Sequence, residues 1–387
     1  MTQTTISKRF KAAREDAGLT QQQLSDALGF KDRQTVAAIE AGIRKISADE
    51  LLKAMQILGK DLEYFTDPFR LDGEGNFSWR FDPDVKDHLD DFESRAGSWL
   101  ALYKVLAPES AVMASGPGDA PGPNQATPGF KEPWPRTSPL SLALTPKSSY
   151  EDAHNAASWL SGEWQLGDVP ADRLEGAIRE RLRALVLYVD APHGISGAAF
   201  RLPEFNAILI NRKEPAGRRN FDLAHELFHL LTWETIRPAH TESGMLNAKG
   251  RPEQLANCFA SAILMPEGVI RKWLDAFPSF PHKDREWWNN WLNDRAYDLR
   301  VSTPALQWRM VQLGLLSKGD VDNTLDWFTE REMVTPRPFS EEFVHALHSG
   351  LNAGRVSVRR AAALLGMTID ELADLFRAYQ VDVPFDI

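Results

Sequence analysis

Two histidines four residues apart, His225 and His229, enclose Glu226 in the run Phe221-Asp222-Leu223-Ala224-His225-Glu226-Leu227-Phe228-His229-Leu230-Leu231. The apolar residues of this run recur at helical spacing, so it reads as a buried helix with both imidazoles on one face. A buried polar face needs partners. An HExxH helix finds them by gripping one metal ion with its two histidines, which leaves the intervening glutamate to act as the base. The bland alternative, two ordinary polar positions on an amphipathic helix, leaves the same groups in search of other partners. The arrangement is that of a zinc-dependent peptidase.

A catalytic zinc site takes three protein ligands and keeps one position open, so a third ligand must come from elsewhere. In Glu253-Gln254-Leu255-Ala256-Asn257-Cys258-Phe259-Ala260, Glu253 and Asn257 again stand four apart on a predicted helix. Glu253 is placed to bind metal there, and the Asn257 amide oxygen to accept a hydrogen bond from a ligand imidazole. His240, in Arg237-Pro238-Ala239-His240, is the rival third ligand and Glu234 a weaker one. Glu253 is preferred because ligands on helices are held more firmly than ligands on loops. Just after Pro252, its carboxylate also suits a helix N-terminus, and both readings can hold together. Ligand type makes zinc the default ion, although manganese and iron suit the same donors.

From Ile195 to Pro266 the chain resembles the ImmA/IrrE family of metallopeptidases. Four blocks carry the resemblance: strands around Ala199-Phe200-Arg201 and Ala207-Ile208-Leu209-Ile210-Asn211, the run Phe221 to Leu231, the run Glu253 to Ala260, and Ala262-Ile263-Leu264-Met265-Pro266. It departs from the family at Phe228, where glycine is frequent, and at Leu255, where an acidic residue is frequent. Both departures bear on pocket shape and substrate preference, and neither removes a ligand. The resemblance implies limited proteolysis of a transcriptional repressor, usually a helix-turn-helix protein encoded nearby.

The other strong pattern is N-terminal. Residues Ile6 to Asp67 form a five-helix pattern punctuated by Gly18, Gly29, Gly42 and Gly59, with a Thr20/Gln23 capping box. The segment Asp32 to Gly42 resembles the recognition helix of the Cro/cI (XRE) helix-turn-helix family, and the similarity runs on through Ile46-Ser47, Leu51-Leu52 and Leu62-Glu63-Tyr64-Phe65. Asp32 caps that helix and sets Arg33, Gln34 and Thr35 at its start, where side chains meet base edges in the major groove. Gln21, opening the preceding helix, is the fourth candidate DNA contact. Arg and Gln suit bidentate contacts with guanine and adenine. The turn Gly29-Phe30-Lys31-Asp32 is one residue longer than in the shortest relatives.

Charge agrees with a DNA-binding end. Residues 1–45 carry eight Lys/Arg against five Asp/Glu, a net of +3, within a chain of net charge -10. An acidic body repels phosphate, so DNA contact is expected at this end only and to be salt-sensitive. A +3 balance is modest for such a footprint, and protein binding or dimerisation is the alternative use of the domain.

The remaining punctuation sets the boundaries. The expected order is a helix-turn-helix domain over 1–67, a strand and helix connector over 68–112, a Pro/Gly-rich linker over 113–150, a peptidase domain over 151–275 and a helical C-terminal region over 276–387. Asn76 to Phe81 reads as a strand and Val85 to Leu106 as a helix, whereas residues 116–146 hold eight prolines and resist regular structure. Pro133-Trp134-Pro135 is apolar enough to dock. Glu151 to Trp164 and Ala171 to Leu182 read as helices, and Leu185 to Val189 as a strand joining the pair that ends at Asn211. Residues 301–315 read as two short helices. Phe343 to Leu351, Val356 to Leu365 and Ile369 to Tyr379 form a three-helix pattern with a helix-turn-helix-like corner, more simply a packing module because acidic residues flank its second helix. Trp287, Trp288 and Trp291 share a helical spacing typical of core or interface.

With 43% hydrophobic and 25% charged residues the composition is that of a soluble globular protein. No apolar run of ~18 residues and no signal peptide is found, which points to the cytoplasm. Cys258 has no second cysteine to pair with and reads as core packing. The expected fold is multidomain and mainly α: an all-α helix-turn-helix domain, an α+β zincin-like peptidase domain and an α-helical C-terminal region. The expected partners are double-stranded DNA, a helix-turn-helix repressor as substrate and a second copy of the chain. A different class of function fits the same domain order: a DNA-binding regulator, in a toxin-antitoxin or phage setting, whose peptidase-like domain senses and does not cut.

Overall fold

The computed structural model describes residues 3–71, 75–81, 88–107, 141–202, 205–243, 250–275, 285–322, 325 and 335–386. Five helices open the chain: α1 (Gln3–Asp16), α2 (Gln21–Leu28), α3 (Arg33–Glu40), α4 (Ala48–Leu58) and α5 (Leu62–Thr66). Strand β1 (Asn76–Phe81) and helix α6 (Leu89–Leu106) follow. Next come α7 (Tyr150–Glu163), α8 (Ala171–Ala177) running into a π-helical turn over Ile178–Leu182, then β2 (Leu185–Val189), β3 (Ile195–Arg201) and β4 (Asn206–Asn211). After these lie α9 (Ala216–Thr232), β5 (Thr241–Ser243), α10 (Arg251–Leu264), α11 (Glu267–Asp275), α12 (Arg285–Asp298) and α13 (Thr303–Gln312). The last three helices are α14 (Glu341–Asn352), α15 (Val358–Leu365) and α16 (Ile369–Ala378). Among the described residues no helix is long and apolar enough to cross a membrane.

The chain packs as two compact units, one of Met1–Asn76, Asp90–Pro108 and Phe343–Ile387, the other of Phe77–Leu89 and Glu109–Glu342. The expected C-terminal region 276–387 therefore divides. Its first part shares the core of the second unit through Trp288, Leu292, Val301, Leu306 and Met310, while α14 to α16 fall in the first unit, where the Arg360 guanidinium bonds Glu63 at 3.2 Å and also Asp67. Helical periodicity reports a buried face and not what covers it, so this split leaves no local trace.

The first five helices enclose Phe10, Leu24, Val36, Ile39, Ala54 and Phe65. Thr20 and Gln23 form the expected capping box at the start of α2, and Gly29 ends that helix at φ 76°, in the left-handed region. At the start of α4 Ser47 and Glu50 make a second capping box. Arg44 grips the same Glu50 carboxylate through two hydrogen bonds of 2.7 and 3.0 Å. The Arg44 hydrogen bonds hold the Glu50 carboxyl at about 2, below its ordinary 4.5. A depressed carboxylate contributes stability above its unfolded pKa and loses it as pH falls through the folded one. Glu50→Gln is therefore expected to be less stable than wild type at neutral pH, with the difference shrinking between about pH 4.5 and 2, read by thermal unfolding.

The second unit is built on a five-stranded mixed sheet of order β2-β4-β3-β1-β5. β2 runs parallel to β4, β3 antiparallel to β4, and β1 parallel to β5. Helix α9 packs on β3 and β4 and against α10. Its apolar side joins Val186, Ala199, Ile208 and Ile210 of the sheet in one core. Two expectations change here. The strand assigned to a connector is a full member of this sheet, because its Phe77 and Trp79 rings stack at 5.0 Å and Phe77 packs on Phe200 of β3 at 4.5 Å. Residues 301–315 hold one helix, not two: Ser302 caps α13 and Pro304 occupies its first turn, where a missing N–H costs nothing. Of the Pro/Gly-rich stretch 113–150, residues 113–140, including Pro133-Trp134-Pro135, lie outside the described residues. Its end is packed: Leu142 and Leu144 are buried, and the Leu142 N–H donates to the Leu231 carbonyl at 2.9 Å.

Candidate metal centre and nucleic-acid interface

Helix α9 carries the two histidines, and α10 carries Glu253 in its first turn and Asn257 one turn on. The packing of Phe228 on Phe259, with ring centroids 5.5 Å apart, sets these helices against each other. Their polar faces meet as a compact group. His225 Nε2 lies 3.0 Å from His229 Nε2 and 3.2 Å from Glu253 Oε2, and His229 Nε2 lies 3.4 Å from Glu253 Oε1. His225, His229 and Glu253 are all buried.

The donor set fits a metal ion. Asn257 Oδ1 sits 3.0 Å from His225 Nδ1, so that ring nitrogen carries the proton and Nε2 turns a bare lone pair toward the other two groups. Burial, with the charge of Arg80 second, pushes His225 down to about 4 against the opposing pull of Glu253, which keeps the imidazole neutral near pH 7. A neutral imidazole is the ligand form. Tetrahedral bonds of about 2.0–2.2 Å put ligand atoms roughly 3.3–3.6 Å apart, close to the separations here. Two nitrogens and a carboxylate are zinc's usual donors.

The rival ligands lie elsewhere. The His240 side chain is exposed, and its carbonyl accepts from the Trp79 N–H at 2.8 Å. Glu234 is an exposed partner of Arg201 at 2.9 Å. His225, His229 and Glu253 are the one group of three or more potential ligands among the described residues. Cys258 is half-buried on α10, its thiol pushed up by burial, and takes no part.

Glu226 is buried beside the histidines and faces the sheet. A Cβ placed on Gly197 of β3 would stand 2.8 Å from the Leu209 carbonyl oxygen and 3.8 Å from Glu226 Cγ. The bare glycine lets strand and helix approach at the glutamate. Nothing local in the sequence marks Gly197 for this. Phe228 is fully buried, and its ring meets that of His229 in a T-shaped contact with centroids 5.7 Å apart, so it belongs to the packing around the histidines.

In the first unit Asp32 caps α3 by accepting from the Thr35 N–H at 3.1 Å, and Arg33 and Gln34 are exposed at the start of that helix. Thr35 is half-buried, with its hydroxyl turned to Asp32 at 3.4 Å. Gln21 spends its amide differently, donating to Glu40 at the end of α3 at 2.8 Å. The same carboxylate receives Arg14 at 2.5 Å, and this bond raises the Arg14 pKa. Gln21 thus braces α2 against α3. At the C-terminal corner, α16 exposes Ile369, Asp370, Glu371 and Asp374, an acidic face unlike the start of α3.

Residues 10–65 match the family model described as helix-turn-helix, and residues 179–284 match that described as the IrrE N-terminal-like domain. No curated protein matches the chain. The chain is thus a multidomain protein that joins an XRE-type helix-turn-helix domain to an IrrE-like peptidase domain. The first match supports DNA binding, and the second, with the buried His/His/Glu group, implies a bound metal.

Proposed function

We propose that this protein is a metal-dependent, site-specific endopeptidase that cuts a transcriptional repressor, itself a helix-turn-helix protein, in the compartment that holds the DNA. The observation that carries this reading is the convergence of His225, His229 and Glu253 around a single point, with the Glu226 carboxylate on the next position of the same helix. The ImmA/IrrE resemblance supplies the substrate class.

His225, His229 and Glu253 hold the ion, and Asn257 fixes the tautomer of His225. When bound there, zinc acidifies water and polarises a carbonyl. Glu226 accepts the proton of the attacking water and delivers it to the departing amine, so that water is added across the peptide bond. Its burial keeps bulk solvent from the carboxylate. An extended substrate segment is suited to strand addition, which satisfies peptide N–H and C=O groups without regard to side chains. β2 is engaged along its length by β4 and bridged at Tyr188 to Phe339, whereas β5 is the strand at the other end of the sheet. β5 is therefore the edge proposed for the substrate. Arg33 and Gln34 read DNA or a partner repressor of the same fold.

The test is elemental mass spectrometry of wild type, Glu226→Gln and Glu253→Ala purified without added metal. About one metal per chain is expected in wild type and Glu226→Gln and none in Glu253→Ala, because three protein ligands are needed and Glu226 is not among them. A wild type that holds no metal, even after stoichiometric zinc is supplied and excess removed, overturns the peptidase reading in favour of a non-proteolytic regulator.

A further inference from the structure

β1 brings an arginine into the second unit from outside the matched segment 179–284. Arg80 is 1% exposed, and its Nη1 donates to Asp222 Oδ1 at 2.6 Å, with Asp222 fully buried. Asp222 also receives Arg218 Nε at 3.3 Å, and Arg218 Nη2 reaches the Ser196 hydroxyl of β3 at 3.3 Å. The Arg80 guanidinium lies over the Phe221 ring at 5.6 Å. On α9, Asp222 stands three residues before His225 and four before Glu226, so it shares their side of the helix one turn earlier.

A buried ion pair contributes little net stability compared with apolar residues of the same volume. What it supplies here is direction. The Arg80–Asp222–Arg218 chain ties the turn before the HExxH residues to β1 and, through Ser196, to β3. The rotation of α9 about its axis, which aims both imidazoles at Glu253 on a different helix, is thereby fixed from the sheet side.

We propose that Arg80 is a positioning residue for the metal centre, acting through Asp222, and that β1 is an integral part of the metal-binding unit. This rests on the metallopeptidase reading above. Partners that orient metal ligands from outside the coordination sphere typically change affinity by about 10- to 100-fold when removed.

The experiment uses the full chain as wild type, Arg80→Lys, Arg80→Met and the double variant Arg80→Met/Asp222→Leu. Zinc affinity is read by competition with a chromophoric chelator, ligand geometry by the visible spectrum of the cobalt-substituted protein, and stability by thermal unfolding of the metal-free form. Arg80→Met is expected to weaken zinc about 10- to 100-fold and to alter the cobalt bands. Arg80→Lys, which keeps a charge on Asp222, is expected to recover most of the affinity. The double variant, which removes the buried Arg80–Asp222 pair as a whole and leaves the part-exposed Arg218 its bond to Ser196, is expected to regain part of the thermal stability without regaining affinity. Wild-type zinc affinity and cobalt spectrum in Arg80→Met, or in the double variant if the single one does not fold, would show the pair to be structural only and overturn the proposal. A wild type that takes up no zinc would instead remove the metallopeptidase reading and this inference with it.

Discussion

Glu226→Gln is expected to lower the turnover of a cleaved repressor by about 10²- to 10⁴-fold, the usual contribution of a positioned acid or base, while metal content stays at the wild-type level. Glutamine keeps the shape of the side chain against Gly197. It cannot take the water proton at neutral pH. Because the proposed donor group consists of His225, His229 and Glu253, an amide at the neighbouring position leaves those three side chains intact. Steady-state kinetics should show the loss in kcat, with substrate binding little changed. An undiminished kcat in this variant would refute the assignment of Glu226 as the base.

The second large effect concerns folding. Phe228→Ala is expected to destabilise the second unit by about 3–5 kcal/mol, the range for removing a fully buried phenylalanine ring. The residue is 0% exposed, and its ring packs against both Phe259 of α10 and His229. The resulting cavity lies beside His229, one of the three proposed metal ligands, so looser metal retention should accompany the lower stability seen in denaturant unfolding. A loss below about 1 kcal/mol would mean that the helices close over the gap and that the ring does not set their spacing.

Much of the centre was legible because its signals are local. His225 with His229 and Glu253 with Asn257 each recur at a single helical turn, and a run of apolar neighbours marks the face on which each pair lies. Asp32 and the Thr20/Gln23 box announce helix starts through side chains that bond their own backbone. Arg80 and Asp222 are separated by 142 positions, and no local rule links them. The one available hint was a charged residue amid Phe77, Trp79 and Phe81, where an arginine must find a buried partner. The same limit applies to Phe228: a residue type can be read as a departure, but whether its ring lines a pocket or fills the core depends on Phe259 across the helix interface. Gln21 stood at the right place for a DNA contact, yet Glu40 claims its amide from the far end of α3.

The interleaving of the two units bears on how such a protein can be assembled from parts. The chain leaves the first unit after Asn76, returns for Asp90–Pro108, and comes back a last time at Phe343. A recombination point in the Pro-rich stretch, the natural place to exchange one DNA-reading module for another, would carry β1 away with the module and take Arg80 from the sheet. A gene ending before Phe343 would encode the helix-turn-helix helices without α14 to α16, and so without the Arg360 grip on Glu63 and Asp67. Interchange of the first five helices is thus confined to crossovers upstream of Asn76, and even these must preserve their place in a unit that also takes in α6 and the last three helices.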